Sequence, residues 1–224
     1  MKEDTYKEHQ DFSKYYIQQQ ELRKRVIEEN QFKEIKNIAG VDVAYNDEAQ
    51  RMVGAIVVLN AETLEVVEKS SHEMDITFPY VPGLFSFREI PPILEAYKKL
   101  KIKPDLIVCD GHGIAHPKGI GMATHLGIEL DVPTIGCAKK RLVGFFDKEK
   151  LESDRGSQHA LFWDNREVGV ALRTQSDTKP MFVSIGHRIN LATAVDWVLK
   201  LCSKYRLPET TRQADQLVNR LMKS

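Results

Sequence analysis

Cysteine is scarce in this sequence, which has three cysteines among 224 residues. Cys109, Cys137 and Cys202 are widely spaced and form no C-x-x-C pair, a pattern that argues against a zinc site or a disulfide framework. Long hydrophobic runs are missing too, since no apolar stretch approaches the roughly 20 residues that span a bilayer, and the opening segment MKEDTYKEHQ is charged. These absences predict a protein of the reducing cytoplasm, with no signal peptide and no membrane anchor.

An excess of charge of one sign is also absent. The 32 Lys and Arg residues balance 32 Asp and Glu residues, for a formal net charge of +0, so a nucleic-acid partner would need a local basic surface. What is present is an ordinary globular composition, with 42% hydrophobic and 29% charged residues, which excludes a disordered or fibrous protein. The length predicts one domain over residues 1–224.

The hydrophobic patterns predict an α/β domain built on a mixed sheet. Spaced apolar residues within 1–36 predict a surface helix with a packing role. Three β-branched runs at 37–47, 51–60 and 64–74 are separated by short polar breaks and predict an antiparallel three-strand meander. The helical pattern ILEAYKKL then precedes KPDLIVCD, whose continuous apolar character is typical of a buried strand with a parallel partner.

The second half of the chain repeats strand, loop and helix. It contains a glycine-rich loop GHGIAHPKGIG, a helix MATHLGIELD and a short buried strand VPTIGCA. VGVALRT and KPMFVSIG extend the sheet or form a further hairpin, and two amphipathic patterns, LATAVDWVLKLCSKY and TRQADQLVNRLMKS, predict closing helices. An antiparallel meander followed by parallel strands, with helices on the flanks, is the element order of the ribonuclease H-like fold.

Two aspartates lie on the predicted strands. Asp42 interrupts the apolar run IAGVDVAY, where an unpaired carboxylate costs several kcal/mol to desolvate; the alternative is a strand residue that faces solvent. Asp110 ends the run DLIVCD, at the strand end where open α/β sheets place their ligands. Its alternative is a turn aspartate, because Asp-Gly is an ordinary turn pair.

Two further carboxylates also have structural alternatives. Ser86 and Glu89 have the S-x-x-E spacing of a helix capping box, although Pro91 and Pro92 would then lie too deep in that helix. Asp215 lies in the closing helix, where most aspartates face water. Taken together, carboxylates from separate elements suit Mg²⁺ or Mn²⁺ and the hydrolysis of a phosphodiester.

Basic and imidazole side chains could contribute to the same chemistry. Lys139, followed by Lys140 and Arg141, would place positive charge against a scissile phosphate; the alternative is a solvated charge run. His112 and His116 fall in GHGIAHP, whose glycines permit close backbone approach to a ligand. A zinc site there is a weak alternative.

Three motifs carry a resemblance to a known family. PYVPGLFSFRE (79–89), DGHGIAHP (110–117) and VPTIGCAKKRL (132–142) closely resemble the endonuclease V, or deoxyinosine 3′ endonuclease, family. The likeness runs from GVDVAY at residue 40 to YRLPETTRQAD ending at residue 215 and covers most of the chain. It implies a ribonuclease H-like fold and an enzyme that hydrolyses the second phosphodiester bond 3′ to inosine or deoxyinosine, leaving 3′-hydroxyl and 5′-phosphate ends.

The resemblance implies roles for individual residues. Asp42, Asp110 and Glu89 would be the metal ligands, with Mg²⁺ as the cofactor and Mn²⁺ as a substitute. Lys139 would sit beside the phosphate. Asp215 matches the final acidic position of the site, where family members carry either His or Asp, so its direct contact with metal stays open.

Substrate binding follows from the same motifs. The PYVPG stretch resembles the family's wedge, with Tyr80 as its intercalating ring; the alternative is that this ring packs in the core against Phe85 or Phe87. A poorly paired base such as hypoxanthine costs least to flip, and fixed backbone groups can reject adenine by leaving donors unpaired. The implied substrate-binding residues are Tyr80, Pro82, Gly83, Arg88, Gly111, Gly113, His116 and Gly121.

The expected partner is inosine-containing DNA, with inosine-containing RNA as the alternative, and the protein is expected to be a monomer. A rival enzyme is another ribonuclease H-like nuclease, such as a junction resolvase or a hybrid-specific ribonuclease, which would share the carboxylates but have no need of PYVPG. A lesion-binding module without cleavage would be favoured if Asp42, Glu89 or Asp110 were absent, and all three are present.

Overall fold

The structure, a computed structural model, describes residues 11–223. In chain order the elements are α1 (Ser13–Lys24), β1 (Asn37–Asn46), β2 (Arg51–Asn60), β3 (Val66–Asp75), α2 (Phe85–Lys99), β4 (Leu106–Cys109), α3 (Met122–Leu130), β5 (Thr134–Ala138), β6 (Gln158–Trp163), β7 (Arg166–Leu172), β8 (Met181–His187), α4 (Leu191–Leu201) and α5 (Glu209–Leu221).

The strands form one mixed eight-stranded sheet in the order β3-β2-β1-β4-β5-β8-β7-β6. Strands β1, β2 and β3 are the predicted antiparallel meander. Parallel pairing of β1 with β4 and of β4 with β5 makes the centre of the sheet, and antiparallel pairing of β8, β7 and β6 completes it. The predicted mixed sheet is therefore confirmed.

Three elements differ from the sequence prediction. The helix expected within 1–36 ends at Lys24, because the segment after it bonds to the end of β8 instead, with Ile27 N donating to His187 Nδ1 at 3.3 Å; residues 1–10 lie outside the described part. Helix α2 begins at Phe85 and contains both prolines. Strand β6 was not predicted, because only Leu161 in it is buried and no apolar alternation marks it.

The core lies on both faces of the sheet, and alternate residues of each central strand point to opposite faces. Ile38 of β1 packs with residues of α4 and α5, whereas its neighbour Ala39 packs with residues of α2 and α3. In β4, Leu106 packs on the same face as Ile38, and Ile107 packs on the same face as Ala39. A strand that is covered on both faces needs apolar residues at every position, which explains the continuous apolar run that the sequence shows.

Two glycines let helices approach the meander closely. A Cβ at Gly40 of β1 would lie 2.1 Å from the carbonyl oxygen of Thr210, in the first turn of α5. A Cβ at Gly54 of β2 would lie 2.7 Å from the side chain of Pro92 in α2. Any larger residue at either position would push its helix away. These contacts fix the two helices that carry Glu89 and Asp215.

The three cysteines, Cys109, Cys137 and Cys202, are buried with free thiols. Within residues 11–223, no helix has the length and apolar character that crossing a membrane requires.

Candidate active site

Two neighbouring parallel strands place Asp42 and Asp110 side by side. Val41 pairs with Cys109 in the parallel ladder between β1 and β4, and Asp42, within β1, and Asp110, directly after β4, are the residues that follow this pair. Strand β4 ends at Cys109, and Asp110 therefore lies at an open carboxyl end, where α/β sheets hold ligands. Asp42 is half-buried, so its side chain does not face solvent freely.

Helix α5 adds a third carboxylate. Burial, together with the negative charges of Asp110 and Asp215, raises the pKa of Asp42 to about 7, against a backbone hydrogen bond and the charge of Lys139, which lower it. These effects require Asp215 to lie close to the strand aspartates, although its own side chain is exposed. Asp215 thus faces both water and the acidic cluster.

Helix α2 adds the fourth carboxylate, Glu89. Burial raises its pKa to about 8, and the charges of Asp42 and Asp110 act in the same direction, whereas a hydrogen bond from Tyr45 opposes them. The Tyr45 hydroxyl donates to Glu89 Oε1 at 3.0 Å. The guanidinium of Arg88 lies 4.5 Å from the Tyr45 ring centre.

The capping alternative for Glu89 is wrong. Helix α2 has Leu84 at its N-cap and no side-chain cap. The Ser86 hydroxyl is 3.0 Å from Nδ1 of His125, on α3. Glu89 is therefore free to point into the acidic cluster, on the side of α2 that faces the strand ends.

Lys139, which follows β5, is the cation of the cluster. Its ammonium donates a hydrogen bond to Asp110. Burial lowers the pKa of Lys139, but this hydrogen bond and the charges of Asp110, Asp215 and Asp42 outweigh burial and raise it. Lys139 therefore stays charged, and its bond to Asp110 places it in the site.

The donor chemistry of this cluster fits a hard divalent cation. Four carboxylates face one ammonium, and oxygen ligands are those that Mg²⁺ and Mn²⁺ prefer. Among residues 11–223, no group of three or more His, Cys, Asp or Glu side chains is already arranged to hold a metal ion. Burial and, to a smaller extent, the charges of neighbouring acids raise the pKa values of Asp42 and Glu89, and a bound cation would offset both effects.

A cavity of about 340 Å³ opens beside the cluster, and Glu89 and Asp110 form part of its wall. Tyr80, Pro82 and Gly83 of the PYVPG segment also line it. The Tyr80 side chain is 67% exposed, and its ring meets Phe85 edge-on at 5.6 Å. The alternative of Tyr80 as a core residue is therefore wrong, although its contact with Phe85 is real.

The other expected substrate-binding residues divide into two groups. Gly111, His116 and Gly121 line the cavity, whereas Gly113 and Arg88 are not among its lining residues. The Gly113 backbone N–H donates to the Ser184 hydroxyl at 2.8 Å. This backbone donor, which was expected to contact the base, is therefore already hydrogen-bonded.

Arg88 and His116 have defined surroundings. Arg88 is 9% exposed and donates to Asp47 at 3.1 Å, so it supports Tyr45 and the end of β1. Burial lowers the pKa of His116 to about 4, and the charge of His112 adds to this effect. A neutral His116 imidazole therefore faces the cavity at neutral pH.

Helix α1 contributes a residue that the sequence interpretation missed. Gln19 is fully buried, and its side-chain nitrogen donates to the carbonyl oxygen of Gly83 at 2.7 Å. The ring of Tyr15 packs edge-on against Phe78 at 4.8 Å and against Phe87 at 5.0 Å. Helix α1 thus supports the PYVPG segment, and a glutamine in a polar helix gives no sequence signal for that role.

Comparison with known proteins agrees with this geometry. The family model for endonuclease V matches residues 20–216. The endonuclease V of Rippkaea orientalis (strain PCC 8801 / RF-1) is 50% identical over 201 residues, covering 90% of this chain and 87% of that protein. The crystal structure of endonuclease V from Streptomyces avermitilis has a TM-score of 0.90 at 47% identity, covering 95% of this chain and 93% of that chain.

A nucleic-acid complex is also similar. The structure of Ciona intestinalis endonuclease V in complex with a 24mer DNA containing an inosine followed by a ribo-adenosine has a TM-score of 0.82 at 25% identity, covering 94% of this chain and 97% of that chain. The predictions of an enzyme and of a ribonuclease H-like fold are confirmed. Since the family model spans most of its length and close relatives match it throughout, the chain belongs to the endonuclease V family.

Proposed function

We propose that this protein is a metal-dependent endonuclease that recognises inosine or deoxyinosine in nucleic acid. It hydrolyses the second phosphodiester bond 3′ to that nucleotide and leaves 3′-hydroxyl and 5′-phosphate ends. The observation that carries the proposal is the convergence of four carboxylates and Lys139 beside a cavity walled by the PYVPG segment. The inosine-containing DNA bound by the Ciona intestinalis relative supports the choice of substrate.

Each residue of the cluster would have its own role in the reaction. Asp42, Asp110 and Glu89 would hold Mg²⁺, for which Mn²⁺ would substitute, and Asp215 would complete the negative charge around it. When bound, such an ion supplies positive charge that stabilises the phosphate as its bond breaks. Lys139 already lies at hydrogen-bond distance from Asp110, so a phosphate oxygen placed there would accept a hydrogen bond from its ammonium.

The cavity beside the carboxylates would receive the flipped base. Its volume of about 340 Å³ falls within the range of small-ligand sites. Tyr80 would stack in the gap that the base leaves, on a segment that Pro82 stiffens. Gly83, Gly111 and Gly121 let the backbone approach the base, and His116, neutral at pH 7, faces the same space.

RNA is the second candidate substrate. In the DNA bound by the Ciona intestinalis relative, a ribo-adenosine follows the inosine. The protein would act on either substrate as a monomer.

One experiment tests the function and separates the two substrates. Matched DNA, RNA and chimeric oligonucleotides would carry one inosine, or adenine as the control, and the cut would be mapped at nucleotide resolution. We expect a Mg²⁺-dependent cut at the second bond 3′ to inosine and none in the adenine control. Equal cleavage of the adenine control, or full activity in excess chelator, would contradict the proposal.

A further inference from the structure

A second cavity, of about 490 Å³, has Lys139 in its wall. Its apolar base is formed by Phe146, Leu151 and Phe182, which are buried. Its charged wall consists of Lys139, Arg141, Lys148, Arg173 and Lys179. In the part of the chain that the structure describes, no Asp or Glu lines it.

Most of the positive charge of this basic cavity has no carboxylate partner. Lys139 bonds to Asp110, but within residues 11–223 the other four basic side chains form no ion pair. The chain as a whole has a formal net charge of +0. A concentration of unpaired cations in one concave surface of a neutral chain therefore indicates an anionic ligand of several charges.

A further arginine fixes the walls of the basic cavity. Arg206 Nε donates to the carbonyl oxygen of Lys179 at 2.7 Å, and its Nη2 donates to the carbonyl oxygen of Lys139 at 3.5 Å. The segments that carry Lys139 and Lys179 are thus tied together through their backbones. These bonds use no side-chain atom of either lysine, so both ammonium groups stay on the wall of the cavity.

The position of the basic cavity relative to the active site indicates which part of the bound strand enters it. Glu89 and Asp110 line the cavity proposed for the base, and Lys139, bonded to Asp110, lines the basic cavity. The order is therefore base cavity, carboxylates, Lys139, basic cavity. A strand that enters at the flipped base and passes the carboxylates leaves through the basic cavity.

We propose that the basic cavity binds the sugar-phosphate backbone of the cleaved strand on the 3′ side of the cut. The inference rests on the proposed function, because the direction follows from a cut 3′ to the inosine. The ligand is a run of phosphodiesters, which Arg141, Lys148 and Lys179 contact without reading base sequence. The buried rings beneath them provide a rigid apolar base for the sugars.

The test removes two exposed cations of this cavity. The double variant Lys148→Gln, Lys179→Gln keeps the backbone contacts of both residues, and neither side chain belongs to the catalytic machinery. The matched control, Lys33→Gln with Lys69→Gln, removes the same charge from lysines outside the cavity. Both proteins are checked by thermal melting, and binding is measured in Ca²⁺ with the strand verified as uncut.

Binding is measured at several salt concentrations on three duplexes with one inosine. One extends on both sides, one ends just 3′ of the cleaved bond, and one is shortened on the 5′ side. On the duplex that extends on both sides and on the duplex shortened on the 5′ side, we expect the slope of log Kd against log salt to fall by roughly 2. Each phosphate that a lysine no longer neutralises lowers this slope by about 0.9. On the duplex shortened on the 3′ side, variant and wild type should bind alike, and the control variant should match wild type throughout.

Two results would overturn the inference. The first is a variant that binds all three duplexes like wild type, and the second is one whose weakened binding persists when the 3′ flank is removed. Failure of the proposed function has a different signature, namely a wild-type protein that binds inosine and adenine duplexes equally. In that case the inference falls with the function on which it rests.

Discussion

Replacing Tyr80 with alanine separates a recognition role from a packing role. The side chain is 67% exposed, so about a third of the roughly 200 Å² that a tyrosine can bury is covered. At about 25 cal/mol per Å², the loss of unfolding free energy is at most about 1.6 kcal/mol. For a chain of this size that lowers Tm by only a few degrees, whereas truncating a core aromatic costs about 3 to 5 kcal/mol.

The effect on binding should be larger than the effect on stability. A ring that stacks in the gap left by a flipped base contributes roughly 1 to 3 kcal/mol, so Tyr80→Ala should weaken inosine-dependent binding roughly 5- to 150-fold. Tyr80→Phe keeps the ring and should bind like wild type. The assay is fluorescence anisotropy with duplexes that carry one inosine or adenine, alongside a urea unfolding curve for each protein.

Two outcomes would refute this reasoning. If Tyr80→Ala melts normally and binds the inosine duplex with wild-type affinity, the ring does not act as a wedge. If instead it loses several kcal/mol of unfolding free energy, its contact with Phe85 matters more than its exposure indicates.

Three further predictions concern the site and its surroundings. Asp110→Ala should abolish cleavage while inosine-dependent binding largely survives, as gel cleavage and anisotropy would reveal. Mg²⁺ and Mn²⁺ should support cleavage, and Ca²⁺ should support binding with little turnover, whereas dependence on zinc would implicate His112 and His116. Burial lowers the pKa of His125 to about 4, so the stability that its neutral form contributes is present above the unfolded pKa of about 6.5 and lost as pH falls toward 4. Between pH 7.5 and 5, wild type should lose about 2 kcal/mol more unfolding free energy than His125→Gln, and equal losses would contradict this.

Much of the sheet was predictable from local pattern. The meander follows from β-branched runs, and the central strands β4 and β5 follow from continuous apolar runs, because burial on both faces leaves few polar positions in them. Strand β6 was not predictable in that way, since most of its side chains are exposed or half-buried. Its place in the sheet depends on pairing with β7, which is a tertiary contact and leaves no periodicity in the sequence.

The residues of the candidate site were also predictable only where local sequence carries a signal. Asp42 and Asp110 were identifiable because Asp42 interrupts an apolar strand and Asp110 ends one, where an unpaired carboxylate is costly. Glu89 was ambiguous, since its spacing from Ser86 matches a cap that the folded helix does not use. The approach of Asp215 and the support from Gln19 depend on helix contacts between distant parts of the chain, at Gly40 and Gly83. Such contacts leave no recognisable pattern in the local sequence.

The acidic cluster also explains why its four carboxylates come from four separate elements. Each lies on or directly after a rigid strand or helix, so the fold holds like charges together that a flexible loop would let separate. The raised pKa values of Asp42 and Glu89 mean that the stability contributed by these acids is present below their unfolded pKa and lost as pH rises through about 7 to 8. At neutral pH most of that contribution has therefore been lost. A ligand that binds only the folded form stabilises it, and a divalent cation bound by these carboxylates would do so at this site, which links the stability of this fold to the ion that its chemistry requires.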